Sequence, residues 1–157
     1  MKKAASMHEQ VARLRRAGLR VTGPRLAILA ALEQDPSHPT AERLYERLRP
    51  HHPSLSLSTV YETLETFIRT GLCRRVHDGS GRLRVDGTTA DHDHAVCREC
   101  GTIFDVSREV FPLPAPPTRL PDGLEVTAVR VEYEVICAAC RRQAPQARRR
   151  GGTKTAS

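Results

Sequence analysis

The chain has 157 residues, 39% hydrophobic and 27% charged, with a formal net charge of +7. That length accommodates one domain or two small ones and a modest core. No apolar run approaches the ~20 residues of a membrane span, and the opening MKKAASMHEQ lacks the apolar stretch of a secretory signal, so the expectation is a cytoplasmic protein with five reduced cysteines available for metal.

In the segment His8 to Gly18, Val11, Ala12 and Leu14 supply the apolar side of a first helix, and Gly18 is its stop. Pro24 suits the first turn of a second helix, because its missing N–H has no helical partner there. Leu26, Leu29, Ala30 and Leu32 form that helix's predicted buried face down to about Gln34. Asp35-Pro36-Ser37-His38-Pro39 reads as a loop. Thr40 can cap a third helix with Ala41, Leu44 and Leu48 inward, ended by Pro50 and Pro53.

Ser58 is the expected cap of a fourth helix. Val60, Leu64, Phe67 and Ile68 stand at helical spacing, and Gly71 terminates them. Leu72–Val76 and Leu83–Val85 flank Asp78-Gly79-Ser80-Gly81, the turn chemistry of a hairpin. Helices followed by a hairpin predict a winged helix-turn-helix whose last helix enters the DNA major groove; a plain helical packing module has the same periodicity.

The charge agrees with two modules. Residues 1–90 carry 15 Lys+Arg against 9 Asp+Glu, residues 91–140 carry 4 against 9, and residues 141–157 carry 6 against none. The basic N-terminal half can face nucleic acid. Ser58, Thr59 and Tyr61 open the last helix, where side chains meet base edges or phosphates. Arg15, Arg16, Arg20 and Arg25 are candidates for phosphate or minor-groove contact, although a lone arginine is commonly only a solvated charge. Glu62 and Glu65 lower the positive potential of the same helix.

The second half carries metal chemistry. Cys97-Arg98-Glu99-Cys100 and Cys137-Ala138-Ala139-Cys140 are two CxxC pairs, and four thiolates satisfy tetrahedral Zn(II). The 36 intervening residues place the two knuckles at the ends of separate strands. Two redox-active pairs are the alternative, which calls for a βαβ context that is not evident. Cys73 reads as a buried helix-end thiol. His94–Cys97 and Thr102–Val106 form a predicted hairpin around the first knuckle. Val129, Val131, Tyr133 and Val135 alternate with charged residues in a long strand running into Cys137. Prolines in Phe111–Pro117 prevent a regular helix there.

Asp86, Asp91-His92-Asp93-His94 and Asp105 make a second ligand cluster. His-x-His on a strand puts both imidazoles on one face. Mixed imidazole and carboxylate ligands suit Fe(II), Mn(II), Ni(II) or Zn(II). The His-x-Glu signature of zinc deaminases is not present.

From Leu14 to Cys140 the chain resembles the ferric uptake regulator family of metal-dependent repressors. The likeness rests on Leu14–Thr22 with Arg25, on His38-Pro39-Thr40-Ala41-Glu42, on Ser58-Thr59-Val60-Tyr61, on Gly71-Leu72, on His92-Asp93-His94-Ala95-Val96-Cys97-Arg98-Glu99-Cys100-Gly101, and on the last cysteine pair. The resemblance implies an α+β fold: an N-terminal winged helix-turn-helix (residues 1–86), then a small zinc-stapled α/β dimerisation domain (87–141); beyond it, the Gly, Arg and small polar residues of 142–157 predict a disordered basic tail. It implies a homodimer on palindromic double-stranded operator DNA, with no membrane, no small-molecule substrate and no enzymatic activity. By position, His38, Asp86, His92, His94 and Asp105 match the regulatory Fe(II) or Mn(II) site of the family's peroxide-sensing branch, and Tyr61 and Arg16 match its DNA contacts. Aspartate at 86 and 105 favours peroxide as the signal, since iron sensors often carry glutamate there. An iron-responsive repressor of metal uptake genes is the alternative. The chain departs from the family pattern at Glu62, where arginine is usual. It departs again in its proline stretch, and in the absence of histidine from Thr127–Ile136, which predicts that a frequent extra metal site is missing. A zinc-stabilised DNA-binding or scaffold protein without metal sensing and a thiol redox enzyme complete the classes to be separated.

Overall fold

Ser6 opens the first helix, α1 (Met7–Arg16), with a reciprocal capping box: its hydroxyl accepts the Glu9 amide, and Glu9 accepts the Ser6 amide. The computed structural model describes residues 5–109, 120–127, 129 and 131–143, in two compact units divided between Asp91 and His92. The proline stretch 111–117 and the tail beyond Gln143 lie outside the described residues.

In the N-terminal unit, Gly18 leaves α1 with φ +72, a left-handed turn that an L side chain resists. α2 (Gly23–Gln34) has the expected proline, Pro24, in its first turn as the second helical residue, with Thr22 at the cap but making no side-chain cap bond. Its buried residues are Ile28, Leu29, Ala31 and Leu32. Leu26 and Ala30, expected inside, are only half-buried, so the inward stripe is rotated from the one predicted. Thr40 caps α3 (Ala41–Leu48) by accepting the Arg43 amide at 3.3 Å, and Ala41, Leu44 and Leu48 are buried as expected.

The cap of α4 (Leu57–Arg69) is Ser56, not Ser58. Ser56 has the extended backbone of a cap and accepts the Thr59 amide at 3.1 Å; Ser58 is already the second helical residue and is exposed. α2, α3 and α4 pack together around Ile28, Leu32, Leu44, Val60, Leu64 and Phe67. The hairpin follows as β1 (Arg74–Val76) and β2 (Arg84–Asp86), antiparallel, with Arg75 opposite Val85. This is the winged helix-turn-helix order, α2-α3-α4-β1-β2.

The C-terminal unit is a three-stranded sheet in the order β4-β3-β5. β3 (Asp93–Cys97) pairs antiparallel with β4 (Ile103–Val106) and parallel with β5 (Glu132–Val135). The last strand is shorter than the alternation of Val129–Val135 predicts: Val129 and Val131 stand outside it. A 3-10 turn (Pro121–Gly123) and a short helix, α5 (Ala138–Gln143), complete the described elements. Arg142 and Gln143, assigned from sequence to a disordered tail, close α5, because the turn at the second knuckle continues as helix. Ala95, Cys97 and Ile103 are the buried apolar residues of this unit among those described.

Candidate metal centres and nucleic-acid interface

The four expected cysteines converge. Cys97 ends β3, Cys100 follows three residues later, and the turn between them closes with the Gly101 amide on the Cys97 carbonyl at 2.7 Å. The Arg98 amide donates to the Val135 carbonyl at 3.0 Å, so the first knuckle is hooked to the end of β5, just ahead of Cys137. All four Sγ atoms lie within 4.8 Å of one another, with Cys97–Cys140 and Cys100–Cys137 each at 3.9 Å. That separation is the edge of a tetrahedron with metal–sulfur bonds of ~2.3 Å, whereas a disulfide needs about 2.05 Å. The thiols fit one Zn(II), as two knuckles on neighbouring strand ends, rather than two independent redox pairs.

Backbone amides prepare the cluster for thiolate. The Cys137 amide donates to Cys97 Sγ at 3.3 Å, which pulls the Cys97 thiol down to about 6. Hydrogen bonding with Thr102 lowers the Cys100 thiol. Cys140, receiving the competing interactions of Cys137 and Cys100, is pushed up to about 12. Cys73 is separate: it is 1% exposed, beyond the end of α4, and burial pushes its thiol up to about 12.

The five residues of the expected regulatory site divide between the units. In the N-terminal unit, His38 sits in the loop between α2 and α3, and Asp86 ends β2. His38 Nε2 lies 3.9 Å from Asp86 Oδ1, and the residues are only 2% and 5% exposed. Two backbone hydrogen bonds bring loop and strand together, Ala41 N–H to Leu83 O and Val85 N–H to Pro39 O, each at 3.1 Å, and they make the isolated antiparallel bridge between Thr40 and Arg84. His38 has φ +54, a left-handed conformation, and it precedes a proline that disfavours helical backbone. Such strain is held only where surrounding contacts enforce it.

In the C-terminal unit, His92 immediately precedes β3 rather than lying within it, and His94 is the strand's second residue. Their Nε2 atoms are 3.1 Å apart and the rings meet edge-on, so the expected common face is present. Asp105, opposite His94 on β4, reaches within 3.6 Å of His92 Nε2. Asp93 points the other way: it is buried, and its Oδ1 accepts from Arg108 Nε and Nη2, each at 3.2 Å. Asp91, on the N-terminal side of the division, is exposed and pairs with Arg74 at 3.0 Å.

Gly87 sets the approach of the chain just past Asp86. A Cβ there would lie 3.0 Å from the Leu32 carbonyl oxygen, at the C-terminal end of α2. Gly87→Ala is therefore expected to push this segment from α2 and destabilise the protein by about 1–3 kcal/mol, as overpacking does. A lowered thermal midpoint checks it; an unchanged midpoint refutes the close-approach argument.

The candidate DNA-contacting residues gather less uniformly. Ser58 is exposed and Thr59 half-buried in the first turn of α4, and the hydroxyls of both lie 2.8 Å from Ser56 Oγ. Arg16, at the end of α1, and Arg20, in the following loop, are exposed. Arg25 donates to the Arg20 carbonyl at 2.9 Å and so braces that loop. Tyr61 is half-buried, and its hydroxyl donates to Glu42 Oε1 at 2.5 Å. This bond lowers the Glu42 carboxyl and raises the Tyr61 phenol. Glu42 was not singled out from sequence, because nothing in the spacing of residues 42 and 61 announces the pair. Glu65, counted as repulsive to DNA, pairs with Arg75 of β1 at 2.5 Å; Glu62 remains exposed.

Comparison with known proteins follows the same lines. The sequence profile of the ferric uptake regulator family matches residues 16–133. The peroxide-responsive repressor PerR of Staphylococcus epidermidis is 32% identical over 137 residues, covering 87% of this chain and 91% of that protein. The crystal structure of the Vibrio cholerae ferric uptake regulator is similar with a TM-score of 0.61 and 28% identity, over 81% of this chain and 98% of that one. The Pseudomonas aeruginosa ferric uptake regulator, solved with manganese, is similar with a TM-score of 0.62 and 27% identity, over 82% and 98%.

Proposed function

The chain belongs to the ferric uptake regulator family, and from that premise we propose that it is a metal-dependent transcriptional repressor that senses peroxide. The observation carrying this reading is that each unit holds an imidazole–carboxylate ligand set of its own. His38 and Asp86 form one; His92, His94 and Asp105 form the other. In this reading the two sets would together hold one Fe(II) or Mn(II), ions that suit mixed imidazole and carboxylate ligands. Cys97, Cys100, Cys137 and Cys140 hold a structural Zn(II).

DNA binding is assigned to the residues up to Asp86, and zinc binding and dimerisation to those from Gly87, with the regulatory metal drawing ligands from both stretches. The C-terminal unit buries little apolar surface of its own and exposes Phe104, Leu120, Leu124 and Ile136, which a second copy covers in a homodimer. Two winged helices related by a two-fold axis read a palindromic operator. Ser58, Thr59 and Tyr61 lie on the reading helix, and Arg16, at the end of α1, and Arg20, in the loop after it, are exposed and serve as phosphate contacts. Among the described residues no helix is long and apolar enough to cross a membrane. The side chains act as ligands and DNA contacts in the cytoplasm, not as an enzyme on a small-molecule substrate.

Fe(II) held there would supply the chemistry that activates hydrogen peroxide. The histidine ligands would be the oxidisable groups nearest it, His38 or His92 being the expected targets: a ring C–H becomes C–OH, the ring gives two electrons to peroxide, whose O–O bond breaks, and the second oxygen leaves as water. An oxidised ring is a poorer ligand, so the two ligand sets separate and DNA is released. The test is operator binding by purified dimer loaded with Fe(II), Mn(II), Ni(II) or Zn(II), before and after peroxide, with peptide mass spectrometry. The Fe(II) form is expected to lose the operator and to gain one oxygen on His38 or His92, while the Mn(II) form stays bound. Fe(II) protein that keeps its operator with neither histidine oxidised refutes peroxide sensing and leaves an iron-responsive repressor.

A further inference from the structure

We propose that Arg84 is the positioning residue of the His38–Asp86 ligand pair, clamping the His38 loop onto the wing so that the pair is formed before metal arrives. The inference rests on the reading of His38 and Asp86 as metal ligands and adds a residue that neither the cysteine spacing nor the His-x-His motif points to.

Arg84 lies on β2, two residues before Asp86. Its Nη1 donates to the His38 carbonyl oxygen at 2.9 Å, and its Nε donates to Asp78 Oδ2 at 2.7 Å. The guanidinium thus spans the loop that carries one ligand and the turn that closes the wing. Both ends are fixed. Asp78 Oδ1 accepts the Ser80 amide at 2.9 Å and the Ser80 hydroxyl at 2.6 Å, so the carboxylate that holds Arg84 is itself held by the turn. The Asp78 side chain is 6% exposed and that of Arg84 is 21%, so the ion pair is shielded rather than a solvated surface contact.

The carbonyl that Arg84 holds belongs to the residue with the strained backbone. At φ +54 before Pro39, His38 would relax in a free loop. The backbone bonds of Ala41 and Val85 fix the loop on the far side of Pro39, and the Arg84 bond fixes His38 itself. On the near side, Asp35 accepts the Ser37 amide at 2.9 Å. Because Asp86 is carried by the same strand as Arg84, one rigid segment sets both ligands. Lysine cannot replace the arginine, since a single ammonium has no planar fork to reach Asp78 and His38 O in fixed geometry.

The test is a double-mutant cycle on the intact zinc-loaded dimer, reading Mn(II) affinity by titration calorimetry. Arg84→Met keeps the stem and removes both bonds. It is expected to weaken Mn(II) binding about tenfold or more, the usual cost of a lost orienting partner, with zinc content unchanged; Arg84→Lys is expected not to restore it. In a His38→Ala background, Arg84→Met should cost nothing further, because a positioning residue has lost what it positions. A general destabilisation would instead add to the His38→Ala loss. In the zinc-loaded dimer without added Mn(II), amide exchange at Ala41 and Val85 should speed up in Arg84→Met. Wild-type Mn(II) affinity in Arg84→Met alongside a loss in His38→Ala overturns the role of Arg84 and leaves the ligand reading standing. Wild-type affinity in both variants overturns both.

Discussion

Cys97→Ser is expected to empty the zinc site, collapse the C-terminal unit and abolish the dimer. Cys97 is fully buried at the end of the central strand, and it is the sulfur that receives the Cys137 amide. Removing it therefore breaks the link between β3 and the second knuckle as well as one metal bond. A structural Zn(II) contributes roughly 10–16 kcal/mol of apparent binding free energy in small zinc-dependent folds, comparable with the whole stability of a typical domain at about 5–15 kcal/mol. The C-terminal unit has little to set against that loss, since Ala95, Cys97 and Ile103 are its buried apolar residues among those described. The N-terminal unit has its own core around Leu44, Leu64 and Phe67, so most helical signal should survive while zinc per protomer falls from one towards zero. Cys73→Ser is the control. That thiol lies in the N-terminal core, so its loss should leave zinc content and dimerisation intact. A Cys97→Ser protein that is fully zinc-loaded and dimeric would sink the staple.

The contrast between what the residues announced and what they concealed follows sequence separation. Thr40 declared itself as a cap because its partner, Arg43, is three residues away. The His92–His94 face followed from the two-residue period of a strand, and the CxxC knuckles from the geometry of zinc. The cap of α4 was misplaced by two residues because Ser56 and Ser58 are both good caps. The fold chooses between them by where the helix must begin to bury Val60 and Leu64. Rotation of the inward face of α2 is of the same kind, decided by neighbouring helices rather than by the pattern of α2 itself. The Tyr61–Glu42 bond spans 19 residues and the Arg84–His38 bond 46. Neither leaves a local pattern, and an arginine in a basic domain reads as one more phosphate contact. The left-handed His38 was hidden for another reason: only glycine and, to a lesser degree, asparagine advertise such a backbone in sequence.

Removing the imidazole of His38 is expected to erase the response to metal while leaving zinc and the fold in place. Metal strengthens operator binding only by binding the DNA-competent arrangement better than the others. In the proposed site that preference exists because the ion needs ligands from both units. The N-terminal unit supplies only His38 and Asp86, so losing His38 leaves one carboxylate to hold that side, too weak a tie to favour one arrangement. Couplings between sites are typically about 5–150-fold in affinity. Wild-type operator affinity should therefore rise by about that factor with Mn(II), and the rise should vanish in His38→Ala. The backbone at position 38 complicates a single substitution, because alanine at φ +54 carries the strain without the imidazole. His38→Asn is the companion, since asparagine tolerates the left-handed region. Its neutral amide oxygen, on a shorter side chain, is a weaker donor than the imidazole nitrogen, so ligation is expected to fall. Loss of the metal response in both variants, with wild-type zinc content and thermal midpoint, isolates ligation from backbone strain. Retention of the full Mn(II)-dependent gain in both would mean that the two ligand sets do not share one ion, and that metal acts on the C-terminal unit alone.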